Sequence, residues 1–359
     1  MKIYCYDRLE DLPPQHKMAF GCAEQVSYDC SLHWFSNLID TTLSANESLK
    51  LYLADDEKGQ IAILPMCYYA TTSKYKLRQL RALSNFYTSL YAPVCSNDLS
   101  EELLKEALQA IKDSGLAWDV IDFSPLSIDH KSYEALFKAL TMHGFMTFRY
   151  FCFVNWYLPV SGRSFHEYFQ DLPSRLKHTV KRKRKHFFTL VGARMEIIIG
   201  GDQLELGIAN YTKVYNSSWK LREPFPDFIP GLIKLCASQG WLRLGLAYLH
   251  DQPIAAQIWI VANGRAAIYK LAHDEKFDSH SIGSVLTARI MQHVMDIDKV
   301  QEVDYLIGDD EYKKDWMSHR RERWGIVAYN PRTILGMLGA LKQILGEIMR
   351  KASKHWNNK

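Results

Sequence analysis

The chain has 359 residues, more than one ordinary domain needs and enough for two of roughly 150 to 180 residues. With 47% hydrophobic and 23% charged residues it reads as a globular protein, and a net charge of only +4 argues against a dedicated nucleic-acid binder, so any basic function has to be local. Seven scattered cysteines (Cys5, Cys22, Cys30, Cys67, Cys95, Cys152, Cys236) form no C-x-x-C pair, which argues against a disulfide framework and a zinc site; no metal is expected.

The first twelve residues already carry Asp7, Arg8, Glu10 and Asp11, so no secretory signal is expected. No apolar run approaches the ~18 residues of a bilayer span. Both points lead to the expectation of a cytoplasmic protein. Trp34, Leu38 and Ile39 begin the pattern with an amphipathic helix. Residues 49–62, LKLYLADDEKGQIA, then alternate as strand, polar turn, strand. A helix-like stretch at 101–113 leads to a strand with Val120, Ile121, Asp122 and Phe123. His143, Gly144 and Phe145 close a helix, and residues 147–157 read as a new strand rich in aromatics, so a domain boundary is expected there.

The second half repeats the first. Phe228, Leu232 and Ile233 mark a helix before residues 242–255, LRLGLAYLHDQPIA, which match 49–62 at six of fourteen positions without a gap. A helix-like stretch at 285–296 leads to Glu302, Val303, Asp304 and Tyr305, echoing Val120 to Phe123. The same order of elements twice implies an internal duplication. Pro331 opens a last helix (333–355) with Ile334, Met337, Leu338, Leu341, Leu345 and Ile348 on one face. The expected organisation is therefore an N-terminal domain over 1–145, a C-terminal domain over 146–330 and a basic amphipathic helix over 331–359.

Four groups of residues in the second half carry a family resemblance. They are Ser174-Arg175 with the basic stretch to Lys185; Ser218-Trp219-Lys220; Trp241-Leu242-Arg243-Leu244 leading to Pro253-Ile254-Ala255-Ala256; and Tyr269-Lys270, Asp274, Ser281-Ile282-Gly283, Asp304, Gly308, Tyr312-Lys313 and Trp316. Over roughly 170–330 the chain resembles the GNAT-type acetyltransferase domain of the FemAB-like and CelD (cellulose-biosynthesis) proteins. The first half joins it through the repeat and through residues 84–93. The resemblance implies an α+β fold of tandem GNAT-like domains, each a mixed, mostly antiparallel sheet flanked by helices. It implies N-acyl transfer from a thioester, usually acyl-CoA, to an amine of a polysaccharide, a cell-envelope precursor or a small metabolite. A charged tRNA as acyl donor, and a partner protein that kept the fold without the chemistry, are the rival readings.

Such a site needs backbone groups on a splayed strand, a phosphate-binding turn at a helix start, and groups that move protons. Ser281, Ile282, Gly283 and Ser284 lie between a strand and a helix and are the candidate turn, with an ordinary capped helix start as the alternative: Gly283 lets a phosphate approach the backbone, and Ser281 or Ser284 can cap the helix. The corresponding segment of the first half, residues 95–100, has no glycine and carries Asp98, so the donor is expected in the second half. Asp304, Tyr312 and Asp274, with His273, are the acid–base candidates; Asp304 also reads as a structural aspartate, since Asp122 repeats it. Trp219, Tyr269, Lys270 and Lys313 are candidate walls of the acceptor site, with core packing as the alternative for Trp219, Tyr269 and Lys270. Residues 175–186 hold seven cations, which form either a solvated helix face or an anion site in which Arg175, Lys181, Arg182 and Arg184 are candidate contacts for donor phosphates, an anionic acceptor or anionic lipid. DNA is disfavoured, because no DNA-binding motif accompanies them. The last helix, with Lys342, Arg350, Lys351, Lys354 and Lys359 against Glu347, either packs on its own domain or lies on an anionic membrane surface, which would be the inner one.

Overall fold

The computed structural model describes residues 1–96 and 100–357, with side chains through 350. Asn97 and Asp98, on which the phosphate argument for the first half rests, and Lys359 lie outside the described residues. The chain divides into two compact units, 1–152 with 322–359, and 153–321.

In the first unit β1 (Lys2–Tyr6), α1 (Pro14–Val26) and α2 (Leu32–Thr42) precede a hairpin of β2 (Glu47–Asp55) and β3 (Ile61–Tyr69). Then come β4 (Gln79–Ala82), β5 (Val94–Cys95), α3 (Glu101–Asp113), β6 (Val120–Ser127) and α4 (Lys131–Met142). Ser31 and Ser100 start α2 and α3 by accepting the N–H of Trp34 and Leu103. β7 (Met146–Pro159) leads into the second unit, which holds α5 (Phe165–Asp171), α6 (Ser174–Phe187), β8 (Arg194–Ile198), α7 (Leu204–Asn216) and α8 (Phe228–Ser238). The antiparallel set β9 (Leu242–Leu249), β10 (Gln252–Ala262) and β11 (Arg265–His273) follows, then α9 (Ile282–Asp296), β12 (Glu302–Ile307) and α10 (Lys313–Trp316). β13 (His319–Tyr329) and α11 (Ile334–Asn357) end the chain. The stretch 331–359, set apart in the sequence as a basic helix, belongs to the first unit.

The two units repeat one plan. β2, β3 and β4 are joined antiparallel, and β4 pairs parallel with β6. β9, β10 and β11 are joined antiparallel, and β11 pairs parallel with β12. The repeat holds at single residues: Ala54 faces Ala62 and Ala247 faces Ala255, the matched alanines of the two sequence motifs. In both units the parallel pairing lasts three residues, ending at Arg81↔Asp122 and Ala267↔Asp304. The fold is thus α+β, with two mixed, mainly antiparallel arrangements flanked by helices. The next strand, however, is exchanged between the halves of the sequence. β6 takes β13 as its antiparallel neighbour, and β12 takes β7.

Each unit has its own core. In the first, Leu104, Leu108 and Ile111 of α3 pack on Tyr52, Leu64, Leu80 and Ile121. In the second, Leu286, Ile290 and Met291 of α9 pack on Ala247, Ile254, Trp259 and Val303. Gly245 permits that approach: a Cβ there would lie 2.4 Å from Ile290 Cδ1, so any larger residue would push α9 off the sheet.

Candidate active site

β11 and β12 part company in mid-strand. Their pairing stops at Ala267↔Asp304, yet β11 runs on to His273. The same stretch of β11 contains a bulge: Ile258 faces Lys270 and Trp259 faces Ile268, so Tyr269 is the extra residue. β12 bends at the corresponding place. Its register with β7 shifts between Asp304 and Ile307, and Leu306 adopts a left-handed φ of 53°. Beyond that rung the two parallel strands diverge at their carboxyl ends, the place where α/β folds hold ligands.

A buried polar brace holds the bend. Asp304 Oδ1 accepts the Leu306 N–H at 2.6 Å and the side-chain amide of Asn155, which also donates to the Leu306 carbonyl at 2.9 Å. Arg321 donates to Asp304 Oδ2, to Asn155 Oδ1 and, at 2.8 Å, to Glu302, while its guanidinium lies 4.2 Å from the centre of the Tyr157 ring. Both carboxylate oxygens of Asp304 are engaged. Its counterpart Asp122 also serves the frame, accepting the Tyr150 hydroxyl at 2.6 Å.

A second brace fixes the start of α9. Gln257, fully buried on β10, donates to the Gly283 carbonyl and the Thr287 hydroxyl, each at 2.9 Å, and accepts the Trp259 indole N–H. Ser281 turns the chain with a left-handed φ of 49°, and its side chain makes no capping bond. Ile282, Gly283 and Ser284 therefore form a first turn whose N–H groups have no intrahelical acceptor. A Cβ on Gly283 would meet only His273 Nδ1, at 3.5 Å. Asp274 is tied to the turn before it, accepting the Lys276 N–H at 3.0 Å. His273 is paired with Asp278 at 2.6 Å.

The cleft's other wall comes from the loop after α7 and the loop after β12. Trp219, half-exposed, lies with its ring 4.7 Å from that of His273. Lys270 is paired with Glu223 at 2.7 Å. Lys313 is buried and occupied: it donates to the Ile307 carbonyl at 2.6 Å and pairs with Asp310 at 3.1 Å, so it staples its own loop. Tyr312 stacks edge-on against Tyr305 at 5.6 Å, and burial, then the nearby Asp310, pushes its hydroxyl up to about 12. Lys220 enters the sequence reading only as part of a motif. Here burial, and after it the charges of Lys270 and Lys313, push its ammonium down to about 8, against the pull of Glu223. It lies 5.8 Å from the Trp219 ring and 5.9 Å from that of Tyr215.

The basic run is α6, packed on α9 through Val180 and Phe187. Arg175, Lys181, Arg182 and Arg184 are exposed. Lys183 donates to the Ser279 carbonyl just before the α9 turn, and His186 stacks on His280 at 5.7 Å with rings nearly parallel. Lys181 and Arg184 also line a cavity of about 260 Å³ with Phe165, Phe169 and Asp296. Thus Lys183 and His186 of α6 flank the phosphate-binding candidate, while Arg175 stands nearer the helix's other end. Among the described residues no cluster of His, Cys, Asp and Glu suits a metal ion.

Residues 174–314 match the family model "Acetyltransferase (GNAT) domain". No curated protein matches the sequence. Among solved structures, FemX is similar over 95% of this chain and 100% of its own, with a TM-score of 0.64 and 11% identity. The C-terminal domain of a putative lysylphosphatidylglycerol synthetase from Agrobacterium fabrum is similar over 93% and 97%, with a TM-score of 0.53 and 12% identity. A tandem GNAT protein from the clavulanic acid biosynthesis pathway is similar over 92% and 100%, with a TM-score of 0.52 and 9% identity. By sequence over 174–314 and by fold over nearly its whole length, the chain is similar to GNAT-type transferases.

Proposed function

We propose that the protein is an N-acyltransferase that moves an acyl group from acyl-CoA to an amine, with its donor site in the cleft between β11 and β12. The amine belongs to a polysaccharide, a cell-envelope precursor or a small metabolite. The observation that carries the reading is the divergence of β11 and β12 beyond Ala267↔Asp304, with the first turn of α9 at its mouth. Strand backbone beyond the last β11–β12 rung suits the amide groups of pantetheine and can polarise a thioester carbonyl. The turn suits pyrophosphate, for Gly283 is open, and His280 Nδ1 beside it is buried without a hydrogen-bond acceptor or donor among the described residues. Lys183 and His186 add positive charge or hydrogen-bond capacity at the same place.

The proposed chemistry follows from two shifted groups. Lys220, pushed down to about 8, is partly neutral near pH 7.5 and takes the proton the amine loses as the amide C–N bond forms. Tyr312, pushed up to about 12, stays protonated and gives its proton to the sulfur as the C–S bond breaks. Asp304 and Asp274 are assigned to the frame: their carboxylates hold the strand bend and the turn. Trp219, Tyr269 and Lys270 are assigned to the acceptor wall, and Lys313 to the loop that carries Tyr312.

We assign the donor to the second unit because the corresponding flank in the first is filled by its own chain. Beyond Arg81↔Asp122, Ser84 Oγ donates to the Ser124 carbonyl and the Tyr91 N–H to the Pro125 carbonyl at 2.7 Å, within a buried segment 87–94. A second reading, a FemAB-like aminoacyl transferase that uses charged tRNA, is favoured by the exposed cations of α6 beside the turn. Titration calorimetry with CoA, acetyl-CoA and charged tRNA, followed by thiol release with an amine library, tests the choice. Micromolar CoA binding with amine-dependent thiol release is expected. Binding of charged tRNA with none of CoA would overturn the acyl-CoA reading.

A further inference from the structure

The last helix has its large side chains on the outside. Gly336, Gly339 and Ala340 form the seam that packs on the first unit. A Cβ at Gly336 would lie 2.2 Å from the Asn330 carbonyl oxygen, and one at Gly339 would lie 2.6 Å from the Tyr329 ring. The seam has room for small residues only, so α11 cannot roll over to bury its other face. That face carries eight large apolar residues that are all exposed, among them Ile334, Leu338, Leu341, Leu345 and Ile348. At 100° per residue they fill an unbroken arc of roughly 140° along a helix some 36 Å long.

In the sequence of α11, Lys342, Arg350, Lys351 and Lys354 stand against a single acid, Glu347. Lys342 and Arg350 are exposed. Glu347 is drawn to the inner side, where it accepts from Gln343 at 3.1 Å. No helix among the described residues is long and apolar enough to cross a membrane. An exposed apolar arc with Lys342 at its edge, on a helix of net positive charge that cannot span, has the makings of an interfacial anchor. A second copy of the chain is a poorer occupant, since apposed helices would bring their cations together, whereas anionic headgroups neutralise them.

We propose that α11 docks the protein on an anionic lipid surface, its apolar arc sunk among acyl chains and Lys342, about 20° beyond the edge of that arc, at the headgroups. The proposal is independent of the acyl-transfer reading. It is tested by co-sedimentation of the full chain with vesicles of phosphatidylcholine alone and with about 30% phosphatidylglycerol. Binding is expected to the anionic vesicles and to be about tenfold weaker without them, or in high salt. Leu341→Glu with Leu345→Glu should weaken binding at least tenfold while thermal stability stays within about 2 °C, because both residues are exposed already. Lys342→Glu should weaken the preference for phosphatidylglycerol. Equal sedimentation of parent and Leu341→Glu/Leu345→Glu would overturn the proposal. So would a parent that ignores both vesicles, or one that forms a dimer dispersed by Leu345→Glu without binding lipid.

Discussion

Replacing Arg321 by Met tests whether the brace at Asp304 holds the cleft open. Arg321 is mostly buried, as are its acidic partners: side-chain exposure is 17% for the arginine and 5% for Asp304. Glu302 keeps Arg265 at 3.0 Å after the change, but Asp304 keeps no cation. Stranding one buried charge costs about 3–5 kcal/mol, and the lost contact with the Tyr157 ring adds about 0.5–1. At a urea slope of about 2–3 kcal/mol per M, the unfolding midpoint should fall by roughly 1–3 M. The tryptophans, nine in all, give the fluorescence signal. Adding Asp304→Asn removes the stranded charge while its carbonyl still accepts the Leu306 N–H, so about 2 kcal/mol should return. A midpoint lowered by less than about 0.3 M would mean the pair is worth no more than a surface ion pair. The argument would fail equally if the double variant were no more stable than Arg321→Met.

The remaining expectations concern the site. Acyl transfer should rise with pH through about 8 as Lys220 loses its proton, and Lys220→Arg, which stays charged, should lower the rate about 100-fold or more and abolish that rise. The same group sets a stability trend. Its folded value lies below the 10.5 of a free lysine, so the penalty is full below pH 8 and relieved between 8 and 10.5. Lys220→Met should therefore stabilise the protein at pH 7, with an advantage that shrinks by pH 10.5. Gly283→Val should leave the fold intact, given the open space at its Cβ, yet weaken CoA at least tenfold, about 1.4 kcal/mol, in calorimetric titration. Lys181→Ala, Arg182→Ala and Arg184→Ala together should weaken donor binding and flatten its salt dependence with little change in melting temperature; a large melting shift with unaltered binding would make α6 purely structural.

The duplication is legible because it is written in local patterns. Alternation sets the two hairpins, and their shared alanines fall at facing positions of the two ladders. Asp122 and Asp304 likewise fall at the same rung, the third parallel pair. The helix start at 282–284 and the basic face of α6 also follow from short-range rules. The braces do not. Asn155 reaches Asp304 across 149 positions and Arg321 reaches Asn155 across 166, and only the strand exchange brings them together. Gln257 sits in an apolar run and gives no sign that its amide bonds to α9. Lys220 is hidden for another reason. A lysine becomes a base through burial and neighbouring charge, neither of which its sequence position records. Lys313 shows the reverse: a cation expected at the acceptor site is consumed by its own loop.

The exchange of β7 and β13 governs how this protein can be shortened, split or inherited. The stretch matched by the acetyltransferase family model, 174–314, omits β7, whose backbone completes the ladder of β12. A fragment cut to that match would expose a full strand edge, an invitation to aggregation, and would lack the Asn155 and Arg321 side chains. Ending the first half at 145 would likewise bare β6, which relies on residues 323–329. Each half of the gene thus supplies a structural part the other needs. Deleting either repeat from the gene would therefore leave the other with an incomplete ladder.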